Sequence, residues 1–137
     1  MLNGYKKTGV TIFRLVNKLD AGPIISSQSL KIHANMDKDD LTARLNQIGK
    51  ILLIKSLPNY FDNKITLTNQ NDIDTTYAHK IHSEDRKINF YSSTTNVYNK
   101  VKAFSPRPSA WCVIGNENIK IIKCKKKIYR KCAFNNC

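Results

Sequence analysis

Cysteine is absent until Cys112, and the four present are Cys112, Cys124, Cys132 and Cys137. None belongs to a CxxC pair and no histidine lies among them, which is poor spacing for zinc. Nothing signals export to an oxidising compartment, so they are read as free thiols. No apolar run approaches the ~18 residues that a bilayer-spanning helix needs. The short apolar stretch after Lys6 and Lys7 is also too brief for a signal peptide, so a cytoplasmic protein is expected. Glycine numbers only five, and no GxGxxG, Walker loop or GxSxG occurs. Acid is scarce as well: 10 Asp and Glu stand against 23 Lys and Arg.

That imbalance gives a net charge of +13, which attracts polyanions, nucleic acid foremost. A solvated basic surface is the alternative. At 137 residues with 41% hydrophobic composition, the chain is the size and type of one globular domain.

What the chain does hold is a sequence of contrasting segments. "GVTIFRLV", residues 9–16, is almost continuously apolar and β-branched, the pattern of a strand covered on both faces as in a parallel sheet. A turn at 17–23 leads to a second extended run at 24–32. Asp37 then predicts an N-cap, with Asp39 and Asp40 in the first turn. Leu41, Leu45, Ile48 and Leu52 form a helical stripe that Ile51 widens, and Pro58 predicts the end of the helix. Residues 62–76 read as a polar linker. Beyond it, a short helix capped by Ser92 or Ser93 presents Val97, Val101 and Phe104 on one side. "SPRPSAW" breaks that helix. "AWCVIGNENIKIIK" reads as a β-hairpin turning at Gly115–Asn118. The overall class is α/β.

Asp20 is the sharpest chemical candidate. It sits just past the expected buried strand, where sites in open α/β sheets gather. Gly22 would let a ligand approach the backbone closely. A carboxylate there could orient a histidine. "LDAGP" is equally ordinary turn chemistry, so both readings stand. His79 and His82, with Glu84 and Asp85, make a metal site conceivable, but the region reads as loop. Lys80, Arg86, Lys87, Lys100, Lys102 and Arg107 spread basic charge through the second region, interleaved with Tyr77, Phe90, Tyr98, Phe104 and Trp111. These aromatics are expected to pack a core rather than stack on bases.

Together, "TGVTIFRLVNKLDAGPIISSQSLKI", "DLTARLNQIGKILLIKSLPNYF", "TYAHKIHSEDRKINF" and "VKAFSPRPSAWCVIGNENIKIIK" resemble the methionyl-tRNA formyltransferases, a folate-dependent formyltransferase family. The resemblance covers residues 3 to about 123. It implies that residues 1–61 are the C-terminal part of a Rossmann-like formyltransferase domain. Residues 62–76 would be a linker, and 77–123 the first part of an OB-like β-barrel that binds tRNA. The tail at 124–137 is basic and unlike the family. The implied activity moves a formyl group from 10-formyltetrahydrofolate to the amino group of methionyl-initiator tRNA.

On this resemblance Asp20 falls on the aspartate of a catalytic Asn, His and Asp trio, and no metal is implied. Leu19, Asp20, Ala21 and Gly22 would lie against the folate. Lys80, Arg86, Lys87, Lys102 and Arg107 would contact tRNA. The family's Asn and His have no counterpart in these residues, and Arg107 stands where the family usually has an aromatic residue. The expectation is a chain truncated at both ends and inactive alone. A complementary N-terminal chain that completes the site is one alternative, and a non-catalytic basic RNA-binding module is the other.

Overall fold

The computed structural model describes residues 1–71, 73 and 75–126. The part of the basic tail from residue 127 onward, with Cys132 and Cys137, lies outside them.

The first half is a strand pair backed by a long helix. Strand β1 (Lys7–Phe13) pairs with β2 (Ile24–Lys31) in antiparallel register, from Lys7 opposite Lys31 to Phe13 opposite Ile24, with an irregularity between Ile12 and Phe13. This corrects the expectation of a strand covered on both faces. Among the described residues β2 is the one named strand beside β1, and exposed and half-buried residues alternate along most of β1. The end of the predicted run has left the strand altogether: Leu15 is 85% exposed.

Helix α1 (Lys38–Phe61) begins in a full capping box. The Asp37 carboxylate accepts from the Asp40 amide at 3.0 Å, and the Asp40 carboxylate accepts from the Asp37 amide at 3.3 Å. α1 packs against both strands. Leu41, Leu45, Ile48 and Leu52 lie on its half-buried face, whereas Ile51 is exposed. Gly49 on that face stands close to Val10 of β1.

Pro58 does not end the helix. It lies inside the last turn, where its ring removes one N–H and the chain continues to Phe61. The stop is Asn63 in the left-handed region, φ 57°. Asn63 N–H donates to Tyr60 O at 3.1 Å and Lys64 N–H to Asn59 O at 2.8 Å, which together form a Schellman closure.

The second half is a helix laid on a hairpin. A 3-10 turn at Glu84–Arg86 precedes α2 (Thr94–Phe104), whose N-cap is Ser93, its hydroxyl accepting from Asn96 N–H at 3.2 Å. Strands β3 (Ala110–Ile114) and β4 (Glu117–Ile121) pair antiparallel across Gly115 and Asn116, a tighter turn than expected because Asn118 already pairs with Val113. Gly115, at φ 60°, supplies the left-handed residue that so short a turn requires. Ile88, Val101, Phe104, Ala110 and Cys112 form the buried core, with Val97, Ile119, Ile121 and Cys124 packed on it. The peptide bonds Ser105–Pro106 and Arg107–Pro108 are cis.

The described residues thus form two antiparallel two-stranded sheets, each with a helix. Contacts join the halves: Tyr98 Oη and Lys102 Nζ donate to Ala34 O, and Lys38 Nζ donates to Arg107 O.

Candidate functional site

The loop between β1 and β2 carries the candidate carboxylate. Its mouth is closed by Arg14 N–H donating to Pro23 O at 3.0 Å. Asp20 adopts φ 51°, a left-handed conformation that Asp tolerates better than most residues. Its side chain and that of Leu19 face solvent, Ala21 is half-buried, and Gly22 is buried. The four residues expected to touch folate are therefore contiguous, with the carboxylate at the exposed end.

Gly22 meets a steric requirement of the loop itself. A Cβ placed there would lie 1.6 Å from Arg14 O and 3.3 Å from the Phe13 ring. On the side where a Cβ would sit, the chain's own backbone fills the space. The glycine lets the two arms of the loop cross.

Sequence reasoning missed the residue that grips this loop. Gln70, in the stretch read as linker, donates from Nε2 to Asp20 O at 2.9 Å and to Gly22 O at 2.6 Å. Beside it, Thr68 and Ile24 exchange two backbone hydrogen bonds at 2.7 and 3.1 Å. Part of the 62–76 segment is thus an added strand-like rung on β2. A lone glutamine in a polar run carries no pattern that could have marked it.

His79 and His82 lie on the exposed segment ahead of the 3-10 turn. Asp85, weighed as a ligand beside His79 and His82, accepts from His82 N–H at 2.7 Å, just ahead of the 3-10 turn. Among the described residues no group of three or more His, Cys, Asp or Glu is arranged to hold a metal ion.

The five basic residues proposed for RNA contact divide by environment. Arg86 donates from one guanidinium nitrogen to Pro108 O at 3.1 Å and Ser109 O at 3.0 Å, bracing the double-proline segment. Lys87 lies over the Trp111 ring, 5.1 Å from its centroid, while Trp111 Nε1 donates to Ser83 O at 3.0 Å. Lys80 and Arg107 are exposed. Lys102 is set apart, at the junction of the halves, where it reaches Ala34 O and lies 5.2 Å from the Tyr98 ring centroid.

That junction is a cleft of about 790 Å³ whose lining includes Asp37, Asp40, Lys102, Ser105 and Cys124. Burial pushes the Lys102 ammonium below its ordinary pKa, with Lys6 adding to the shift and Asp37 opposing it. Burial likewise pushes the Cys124 thiol up, against the opposing pull of Lys102. The cleft contains none of Leu19–Gly22. The aromatics divide too: Phe104 is core, whereas Tyr77 and Phe90 are exposed, against the expectation that they pack inside.

Known proteins place these features. Residues 1–57 match the family model described as formyl transferase, and residues 80–133 match the formyl transferase C-terminal domain. The methionyl-tRNA formyltransferase of Staphylococcus aureus is 35% identical over 121 residues, covering 88% of this chain and 39% of that protein. That of Lactobacillus johnsonii is 33% identical over 125 residues, covering 91% of this chain and 40% of that protein. The crystal structure of an N-formyltransferase from Helicobacter canadensis, in complex with folinic acid and dTDP-3-aminofucose, superposes with a TM-score of 0.75 at 27% identity, over 88% of this chain and 45% of that one. The chain spans about two fifths of the length of the curated relatives it matches. With one part matching each of the family's two domains in order, the chain belongs to the formyl transferase family.

Proposed function

We propose that this chain carries the aspartate loop and part of the tRNA-binding half of a methionyl-tRNA formyltransferase. The reading rests on one observation above the others: Asp20 stands exposed at the tip of a braced loop, within the segment that matches the formyl transferase model. The cosubstrate is 10-formyltetrahydrofolate, lying against Leu19, Asp20, Ala21 and Gly22. The acceptor is the amino group of methionyl-initiator tRNA, and the reaction belongs to cytoplasmic translation initiation. In the reaction the amine nitrogen attacks the formyl carbon and the bond from that carbon to the folate nitrogen breaks. A proton passes from the amine to the folate nitrogen. Asp20 would hold a histidine in the tautomer that moves this proton, and an asparagine would stabilise the oxyanion.

On this reading the histidine and asparagine come from a complementary N-terminal chain, and mixing the two chains gives turnover. Residues 1–61 belong to a Rossmann-like domain, and residues 77–123 to the start of an OB-like barrel.

The curated relatives favour a tRNA acceptor, whereas the Helicobacter canadensis structure holds a nucleotide-linked amino sugar. The deciding experiment offers both acceptors to the chain mixed with a complementary formyltransferase N-terminal chain. Formylation of methionyl-tRNA supports the proposal, and formylation of the amino sugar alone contradicts it. A net charge of +13 also favours RNA binding without catalysis. On that reading, tRNA binds in a salt-dependent way that Asp20→Asn leaves unchanged, and no mixture turns over.

A further inference from the structure

We infer that Gln70 is the positioning residue of the folate loop, so that the geometry around Asp20 is set by the segment leading into the C-terminal half. The inference rests on the folate reading above. A single side-chain nitrogen donates to two carbonyls that flank the loop tip, Asp20 O at 2.9 Å and Gly22 O at 2.6 Å. The residues are 50 and 48 positions apart, so the contact is tertiary. The same segment is anchored by the two backbone bonds between Thr68 and Ile24.

The loop needs such a brace. Asp20 is in the left-handed region at φ 51°, a conformation that persists where surrounding structure over-determines it. The Asp20 carbonyl is turned to the glutamine on one side while its carboxylate is presented to solvent on the other. A small loss of register there would move the carboxylate relative to any bound folate, and misplacement on the 1 Å scale is costly to catalysis. Gln70 acts through the loop backbone, by way of the Asp20 and Gly22 carbonyls.

The test uses the full 137-residue chain with folinic acid as the probe. Gln70→Met keeps the side-chain length and removes the donor. It is expected to weaken folinic acid binding about tenfold, the effect of one lost hydrogen-bonding group. Amide exchange at Arg14 and Ile24 should accelerate, while exchange at Cys112 and Ile119 in the distal hairpin should stay unchanged. Gln70→Lys, which restores N–H donors, should recover binding. Equal binding by wild type and Gln70→Met overturns the inference. If the wild-type chain does not bind folinic acid, the folate reading fails, and the exchange measurement then decides: Arg14 and Ile24 amides no faster in Gln70→Met than in wild type overturn the positioning role as well.

Discussion

Gly22 is the least replaceable residue of the loop. An added methyl would meet the Arg14 carbonyl at 1.6 Å, and a backbone oxygen cannot swing away as a side chain can. Gly22→Ala is expected to destabilise the first half by about 3 kcal/mol or more, as overpacking against fixed backbone does. Urea titration followed by far-UV dichroism reads this directly, and a loss below about 1 kcal/mol would contradict the crossing geometry. The thiols offer a second residue-scale test. Cys112 is 2% exposed, and burial holds the half-buried Cys124 above its ordinary pKa. At pH 8 both should alkylate more slowly than in the urea-unfolded chain: Cys112 the more so, because it is shut away from the reagent, and Cys124 because the raised pKa leaves less of the reactive thiolate. Peptide mapping after iodoacetamide separates the two. Asp20 itself was legible in sequence as a candidate. Its brace was not, because the Gln70 contact joins positions 50 residues apart and leaves no periodic trace.

At the level of elements, local signals were read well where a side chain closes on its own neighbourhood. Asp37 and Ser93 cap the helices they were expected to cap, and Val97, Val101 and Phe104 face one core. Asp37→Ala should cost about 1 kcal/mol, the usual value of a lost N-cap. Phe104→Ala should cost about 3–5 kcal/mol, because it empties the centre of the second core. Both are measurable by chemical denaturation, with the Phe104 loss confined to amides of α2, β3 and β4. Two other signals misled, one local and one set by distant partners. Pro58 read as a helix stop, yet in the last turn it removes one bond, and the termination falls to Asn63. The apolar run at 9–16 read as a strand buried on both faces, but burial is a property of neighbours, and β1 has the β2 edge and one face of α1.

Across the whole molecule two surface properties stand out. Charge is the first. With a net +13, binding to initiator tRNA should fall steeply with salt, and replacing the exposed Lys80 and Arg107 by alanine should flatten the slope of log K against log salt by about 2. Arg86→Ala should act differently, weakening the fold around Pro108 and Ser109 rather than changing the salt slope alone, because its guanidinium is committed to their carbonyls. The second property is apolar exposure. Leu15, Leu19, Ile54 and Phe61 lie open in the first half, along with the unpaired edge of β1 among the described residues. Such surface favours association and poor solubility when the chain is made alone.

The central proposal is that Asp20 is one member of a formyl-transfer site, with its histidine and asparagine on a complementary N-terminal chain. Its most direct test is the rate of formyl transfer from 10-formyltetrahydrofolate to methionyl-initiator tRNA by this chain mixed with a complementary formyltransferase N-terminal chain, compared with the same mixture carrying Asp20→Asn. The account predicts no turnover by either chain alone, turnover by the wild-type mixture, and a fall of about 100-fold or more with Asp20→Asn, the range of general acid–base effects. Turnover by this chain alone, or equal rates for the wild-type and Asp20→Asn mixtures, would contradict it.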